Sequence, residues 1–238
     1  MARQPGASIA ATLQAVGRVL YDAFGPQHWW PGETPFEVMV GAVLTQNTNW
    51  GNVERAIAQL KTAGLLHPRG LARCPRRRLA RLIRSSGYFN VKARRLHELV
   101  AWLAPRLDEN NDVVASLRPM RTPNLRTALL EISGVGPETA DSILLYALNR
   151  RVFVVDAYTR RFLSRHGLIA PRAGYEEIRA LFEKNLPRSR KLYNEYHALI
   201  VRLGNEICRP KPRCDACPLR PLLGLPEPNA DFGLRNAE

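Results

Sequence analysis

The 238-residue chain has few cysteines, few acidic residues and no long hydrophobic run. Four cysteines cannot staple a chain of this length, which excludes a disulfide scaffold and predicts reduced thiols. The apolar stretches fall short of the roughly 18–20 residues that a membrane span needs. The N-terminal segment lacks the apolar core of a secretory signal. We therefore expect a soluble intracellular protein that makes no contact with a membrane.

Positive charge dominates the composition. The chain carries 35 Lys and Arg against 21 Asp and Glu, which gives a net charge of +14 and a pI of about 10.4. Six arginines lie between Arg73 and Arg84. One such cluster is typical of a solvated helix face, but the sum predicts salt-dependent attraction to a polyanion such as nucleic acid.

Apolar residues recur at three and four positions through most of the chain, which is the spacing of one helix face. Proline and glycine interrupt the pattern at short intervals. The predicted helices carry Ile9 to Phe24 and then span about 34–44, 49–61, 90–103, 124–132, 138–148, 157–166, 174–186 and 191–204. In the helix over 90–103 we expect Val91 on the apolar face and Lys92 on the protein surface.

One run, over residues 151–155, is rich in β-forming residues. It has no partner run elsewhere, and a lone strand leaves its backbone groups unsatisfied. We interpret it as an extended connector between helices. The predicted fold class is all-α.

The segment over residues 133–137 predicts a tight turn between two helices, with Gly134 and Gly136 flanking Val135. Two glycines suit a turn that needs unusual φ values, and Val135 can pack inward. The amides at the start of the next helix would then point outward, where a phosphate is the natural ligand. An ordinary helical hairpin with a glycine cap is the plainer alternative.

Asp156 follows the β-forming run and precedes an amphipathic helix. Asp is among the best helix N-cap residues, and this position fits that use. A carboxylate in a cleft, with apolar neighbours, also suits electrostatic or general-base catalysis. Position alone leaves both interpretations open.

The combined pattern LxxIxGVGPxTAxxIxxYAL, followed by VVDxYTxR, resembles the helix-hairpin-helix DNA glycosylase superfamily that contains endonuclease III. The segment over residues 28–57 resembles the part of that family leading into its wedge loop. The tryptophans at 29 and 30 and the residues at 44–48 are most similar to bacterial 3-methyladenine DNA glycosylases of the endonuclease III type. The resemblance implies two helical lobes, residues 28–152 and residues 1–27 with 153–238, and a DNA-binding cleft between them.

The resemblance also implies roles for individual residues. Asp156 would be the catalytic carboxylate that supports an oxocarbenium-like sugar and orients water. Gln46 would be the wedge that fills the hole left by a flipped base, although a polar helix start is the plainer interpretation of its loop. The hairpin residues that would contact DNA are Gly134, Val135, Gly136 and Thr139, with the amide near Glu138.

Bifunctional members of the family carry a nucleophilic lysine on the second hairpin helix. Glu138 stands at that position here, and a carboxylate cannot form an imine. Lys92 is the nearest alternative amine, but we expect it on a surface helix. The departure predicts a monofunctional glycosylase, which releases the base without cutting the strand.

Tryptophans flank the wedge segment on both sides. Base flipping would require aromatic faces for the extruded base, and we expect Trp30 and Trp50 to sandwich it, with Trp29 and Glu138 also at the base-binding site. A cationic alkylated purine would gain cation–π attraction there. Tryptophan is otherwise ordinary core material.

Three cysteines near the C-terminus, Cys208, Cys214 and Cys217, lie where many relatives bind an iron–sulfur cluster. The fourth cysteine is missing, since Leu223 occupies its place and Cys74 lies far upstream. The alternatives are a three-cysteine iron–sulfur cluster with an outside ligand and a zinc site completed by His197 or Asp215. We expect no cofactor, and if a metal is bound we expect it at these three cysteines.

The resulting hypothesis is a monofunctional DNA glycosylase of base excision repair that acts on alkylated purines, 3-methyladenine first. A uracil, thymine-mismatch or other pyrimidine glycosylase is the nearest alternative, and a non-catalytic DNA-damage-binding protein is an alternative of another class. The expected partner is double-stranded DNA containing a damaged base. We expect a monomer in the cytoplasm of a bacterial-type cell, associated with the nucleoid.

Overall fold

The computed structural model describes residues 8–30 and 32–225. Over these residues the chain is helical and contains no β-strand, which confirms the all-α prediction. The described chain divides into two compact units. The first contains residues 8–29 and 151–225, and the second contains residue 30 and residues 32–150. None of the described helices is both long and apolar enough to cross a membrane.

Thirteen α-helices form the described chain, joined by short loops and single helical turns. A π-helical turn, Ile143–Ala147, continues α9 directly. The α-helices are α1 (Ile9–Phe24), α2 (Pro35–Leu44), α3 (Trp50–Thr62), α4 (Pro68–Arg73), α5 (Arg76–Leu82), α6 (Phe89–Leu103), α7 (Val113–Leu117), α8 (Thr122–Leu130), α9 (Pro137–Ser142), α10 (Ala157–Arg165), α11 (Tyr175–Asn185), α12 (Arg190–Glu206) and α13 (Arg220–Leu223).

Helix α2 is the centre of the second unit. Every residue from Phe36 to Leu44 is buried, as expected of a helix that is apolar on all sides. Thr34 caps its start by accepting a hydrogen bond from the backbone N–H of Glu37. The helix packs against α3, α6, α9 and the π-helical turn. Its last residue leads directly into the loop over residues 45–49, which we call the wedge loop.

Helix α6 corrects one prediction. Its buried face carries Lys92, Leu96, Leu99 and Leu103, whereas Val91 is 38% exposed. Positions 92, 96, 99 and 103 repeat at helical spacing, and position 91 lies off that face. The surface location predicted for Lys92 is therefore wrong, because the aliphatic stem of the lysine continues the apolar stripe.

The segment over residues 152–155 is extended and fully buried in the first unit, which confirms the predicted connector. Side chains from α11 satisfy its backbone: the N–H of Phe153 donates to Glu183 Oε1 at 3.0 Å, and the N–H of Val155 donates to the hydroxyl of Tyr175 at 3.3 Å. The Phe153 ring stacks on Phe182 with centroids 3.9 Å apart. The connector ends at Asp156 and so holds the start of α10 in place.

Candidate functional site

Helices α8 and α9 form the predicted hairpin in the second unit, with the turn over residues 133–136 between them. Gly134 has a φ of +90°, a conformation that L side chains rarely adopt. Val135 is 5% exposed and packs inward, as expected. Gly136 differs from the prediction, because its φ of −88° is open to any residue. Only the first glycine is required by the backbone of this turn.

The wedge loop lies against the hairpin through Gln46. The amide nitrogen of Gln46 donates to the carbonyl oxygen of Gly134 at 3.0 Å and to the hydroxyl of Thr139 at 2.9 Å. The structure therefore brings together three of the predicted DNA-contacting residues. Asn49 caps α3 at the end of the loop by accepting from the N–H of Asn52, so the plainer interpretation of this segment as a helix start also holds.

Arg95 on α6 is a functional candidate that the sequence did not single out. Its Nη1 donates to the Oε1 of Gln46. Its side-chain stem lies over Gly134, where an added Cβ would fall 2.3 Å from the Cγ of Arg95. Gly134 is therefore required twice, by its φ value and by the approach of Arg95.

The aromatic group in the second unit corrects the predicted sandwich. The rings of Trp30 and Trp50 are perpendicular, with centroids 5.1 Å apart, so no third ring fits between them. Tyr146 joins them, with its centroid 5.0 Å from Trp30. The Nε1 of Trp50 donates to Glu54 Oε1 at 2.8 Å, which fixes that ring. The structure therefore leaves no space for a base between the two tryptophans.

Tyr146 could have been considered from the sequence, since it lies in the YAL part of the hairpin motif. Two other residues, Glu138 and Trp29, were also assigned to the base-binding site. Glu138 is exposed in the first turn of α9, where a carboxylate suits the helix dipole. Trp29 is half-buried and belongs to the first unit. Their assigned role in base binding stays a prediction.

Asp156 lies at the start of α10 in the first unit, and the N-cap interpretation is correct. Its Oδ1 accepts a hydrogen bond from the backbone N–H of Thr159 at 2.7 Å. The other oxygen, Oδ2, lies 3.5 Å from Nε2 of His197 on α12, and the Asp156 side chain is 11% exposed. One oxygen thus caps α10, and the other faces His197.

Burial raises the pKa of Asp156, but His197 and the N–H of Thr159 lower it more, so that its pKa lies below the usual value. The carboxylate is therefore held ionised. His197 is 5% exposed, and its ring lies edge-on to Phe153. From the sequence, His197 could be considered only as a metal ligand, because nothing in the local pattern links α12 to Asp156.

The close contact of α10 with α12 explains how His197 reaches Asp156. Tyr158 lies over Gly204, where an added Cβ would fall 2.3 Å from the ring atom Cδ1. The Tyr158 hydroxyl donates to Asn205 Oδ1 at 2.6 Å. Arg161 donates through Nε to the carbonyl oxygen of Cys208 at 2.7 Å. These contacts fix the position of α10, and with it that of its N-cap carboxylate.

The three C-terminal cysteines line one small cavity of the first unit, together with His166. Burial raises the pKa of the Cys217 thiol, and the neighbouring Cys208 and Cys214 shift it in the same direction. Arg165 donates from Nη1 to the Sγ of Cys208 at 3.2 Å. Three thiols fall one short of the four-cysteine set of an iron–sulfur cluster, so the residues do not fit that group.

The zinc alternatives named above are not supported. His197 faces Asp156 in the structure, and Asp215 pairs with Arg220 on the protein surface. Across residues 8–30 and 32–225, no group of three or more His, Cys, Asp or Glu side chains is arranged to hold a metal ion. His166 lines the cavity with a buried Nδ1 that has no hydrogen-bond partner.

Comparison with known proteins assigns the family. The sequence profile described as "HhH-GPD superfamily base excision DNA repair protein" matches residues 40–188, which include the wedge loop, the hairpin and Asp156. The chain belongs to this superfamily, and it is a DNA glycosylase of base excision repair.

Individual relatives resemble most of the chain. A protein of Methanocaldococcus jannaschii, provisionally assigned as a DNA repair glycosylase, is 48% identical over 87% of this chain and 94% of its own length. Endonuclease III of Thermotoga maritima is 30% identical over 78% of this chain and 81% of its own length. Among solved structures, the 3-methyladenine DNA glycosylase of H. pylori bound to 1,N6-ethenoadenine is 29% identical with a TM-score of 0.71, covering 84% of this chain and 98% of its own.

Proposed function

We propose that this chain is a monofunctional DNA glycosylase that excises alkylated purines, 3-methyladenine first, by hydrolysis of the N-glycosidic bond. The observation that carries the proposal is the carboxylate of Asp156, held ionised by His197 and the N–H of Thr159 in a side chain that is 11% exposed. A fixed negative charge beside a developing oxocarbenium ion is the largest catalytic effect available to such a site.

The aromatic cluster supports the proposed substrate class. Trp30, Trp50 and Tyr146 offer π-faces, and a positively charged alkylated purine gains cation–π attraction on such faces that a neutral base does not. The alkylated base is also a good leaving group, so the reaction needs little help from an acid. The likeness to the H. pylori 3-methyladenine glycosylase agrees with this class.

The chemistry of the amines supports hydrolysis without strand cleavage. A lyase needs a reachable amine to form an imine with the sugar. Glu138 occupies the position where bifunctional relatives carry a lysine, and Lys92 is 1% exposed with its Nζ bound to two carbonyl oxygens. Lys61 pairs with Glu33 at 2.8 Å and Glu37 at 3.1 Å. None of these three groups offers a free nucleophile.

In the proposed reaction, the hairpin, the wedge loop, the aromatic cluster and Asp156 have separate tasks. The hairpin would hold a phosphate of the DNA backbone while Gln46 enters the space that the flipped base leaves. The aromatic cluster would support the extruded purine. Asp156 would stabilise the positive charge that develops on the sugar as the base departs, and it would orient the attacking water.

We also propose that the enzyme works without an iron–sulfur cluster, because Leu223 stands where a fourth thiolate would be needed. The purified protein is expected to be colourless and to contain no stoichiometric iron. A visible absorption band with iron bound in proportion to the protein would contradict this expectation.

The experiment that tests the proposed substrate uses three duplexes, each with one lesion: a 3-methyladenine analogue, uracil or an oxidised pyrimidine. Single-turnover base release is measured after alkali treatment with the wild-type protein and with Asp156→Asn. We expect fast release of the alkylated purine alone, and loss of that release in the variant. Release from the uracil duplex alone would contradict the substrate class. Binding without turnover on any duplex would favour a damage-binding protein.

A further inference from the structure

Lys92 is a buried charged group that the proposed reaction does not use. The residue is 1% exposed. Its Nζ donates to the carbonyl oxygen of Leu44 at 2.8 Å and to that of Ser86 at 2.6 Å. Both acceptors are neutral, so neither compensates the charge of an ammonium removed from water. An aliphatic side chain would fill the same stripe of α6 at lower cost, which suggests that the amine has a purpose beyond stability.

The pKa of Lys92 reflects this environment. Burial and, to a smaller extent, the charge of Arg95 one helical turn away lower the pKa to about 8. At neutral pH the amine is therefore still mostly protonated, and it donates hydrogen bonds to the two carbonyl oxygens. The role of the side chain therefore depends on its two hydrogen bonds and not on its charge alone.

The two carbonyl oxygens belong to two different segments of the chain, and each segment leads into a loop. Leu44 is the last residue of α2 and directly precedes the wedge loop. Ser86 ends the turn that leads to Gly87 and to Tyr88, which is 65% exposed with a φ of +43°. One buried amine is thus hydrogen-bonded both to the residue that precedes the wedge loop and to the residue that precedes Gly87 and Tyr88. Arg95, on the same helix, donates a hydrogen bond to Gln46 in the wedge loop.

We propose that Lys92 is a positioning residue that fixes the wedge loop in the conformation in which Gln46 enters the DNA. The inference rests on the proposed role of Gln46 as the wedge. Lys92 donates to the carbonyl oxygen of Leu44, which directly precedes the loop, and Arg95 donates to the side chain of Gln46, so α6 holds the first part of the loop through two contacts. Without the amine, the loop loses the hydrogen bond at Leu44 that fixes its position against the hairpin.

The test measures base flipping separately from folding and binding. A duplex carries the alkylated purine beside 2-aminopurine, whose fluorescence rises when its neighbour leaves the stack. Lys92→Met removes the amine and keeps the length of the side chain. We expect the flipping rate to fall about tenfold or more, because small errors in positioning have large kinetic effects. The affinity for the duplex should stay within about threefold, since phosphate contacts provide most of it.

Three control variants give the result its meaning. Arg94→Met removes an exposed charge next to Arg95 on the same helix and should flip bases like the wild type. Leu99→Ala opens a cavity on the buried face of α6 and should lower the melting temperature at least as much as Lys92→Met, with little loss of flipping. Lys92→Gln retains N–H donors and should recover part of the flipping rate; it also serves if Lys92→Met does not fold.

The outcomes separate this inference from the proposed function. Normal flipping in both Lys92 variants would overturn the inference, and so would equal losses in Leu99→Ala and Lys92→Met, which would indicate a purely structural lysine. Gln46→Ala is measured in parallel. If it flips bases normally while Lys92→Met does not, then Lys92 does not act through the wedge, and both the wedge role and the inference fail. Flipping without base release would leave the inference intact and contradict the proposed substrate.

Discussion

Asp156 in one unit and Lys92 in the other are both ionisable residues with lowered pKa values, but they differ in their hydrogen-bond partners and in their exposure. Asp156 has a histidine and a helix N-terminus as partners, and part of its side chain is exposed. Lys92 has only neutral carbonyl partners and is 1% exposed. A lowered pKa keeps the carboxylate charged, whereas it moves the amine toward its neutral form.

A perturbed pKa alone therefore does not identify a catalytic group. Accessibility and the nature of the partners decide the role. Asp156 is ionised and its side chain is 11% exposed, which agrees with the role on the substrate that we propose. Lys92 has a pKa suited to a nucleophile, but its Nζ is buried and donates to two carbonyl oxygens, which suits a group that holds a loop. The predictions below test each side of this contrast.

The largest expected effect concerns Asp156→Asn. The substitution keeps an oxygen that can cap α10 but removes the negative charge, so the single-turnover rate of base release should fall by at least about 10²–10³-fold. DNA affinity and melting temperature should change little. A variant that releases the base at the wild-type rate would show that the carboxylate has no catalytic role.

The next effect concerns His197→Gln and the acid side of the pH profile. His197 lowers the pKa of Asp156, so its loss should raise that pKa and shift the acid limb of the single-turnover rate to higher pH. The rate on the plateau should fall less than in Asp156→Asn. An acid limb that stays in place would mean that His197 does not control the ionisation of Asp156.

The smallest effect concerns the stability of Lys92→Met as a function of pH. The folded protein binds fewer protons at Lys92 than the unfolded chain between pH about 8 and 10.5. The unfolding free energy of the wild type should therefore rise relative to the variant over this window, by at most about 1.4 kcal/mol per pH unit. Urea denaturation at several pH values measures the difference, and a difference that does not vary with pH would show that the lysine pKa is not lowered.

The sequence predicted the local features of the molecule and missed the long-range ones. The all-α fold, the inward Val135, the extended connector and the N-cap position of Asp156 follow from spacing and composition over a few residues. Gln46 contacts residues that lie 88 and 93 positions away along the chain, and Arg95 lies 49 positions from its partner. No local pattern encodes such pairings.

Two predictions about side-chain environment were wrong for a related reason. The tryptophans at 30 and 50 were correctly expected near the wedge loop, but the angle between two rings depends on tertiary packing, and here the rings are perpendicular. Lys92 was placed on the surface because lysine usually lies there, whereas its position in the helical repeat belongs to the buried stripe. The helical repeat was the better guide in this case.

The most direct test of the contrast is one assay of single-turnover reactions on an alkylated-purine duplex, divided into three samples. One is analysed directly, one after alkali, and one after borohydride, which traps any imine between an amine and the sugar. We expect strand breaks only after alkali and no trapped complex, because the proposed reaction is a hydrolysis assisted by Asp156 and because Lys92 is buried. Breaks without alkali, with a trapped complex that disappears in Lys92→Met, would contradict this expectation.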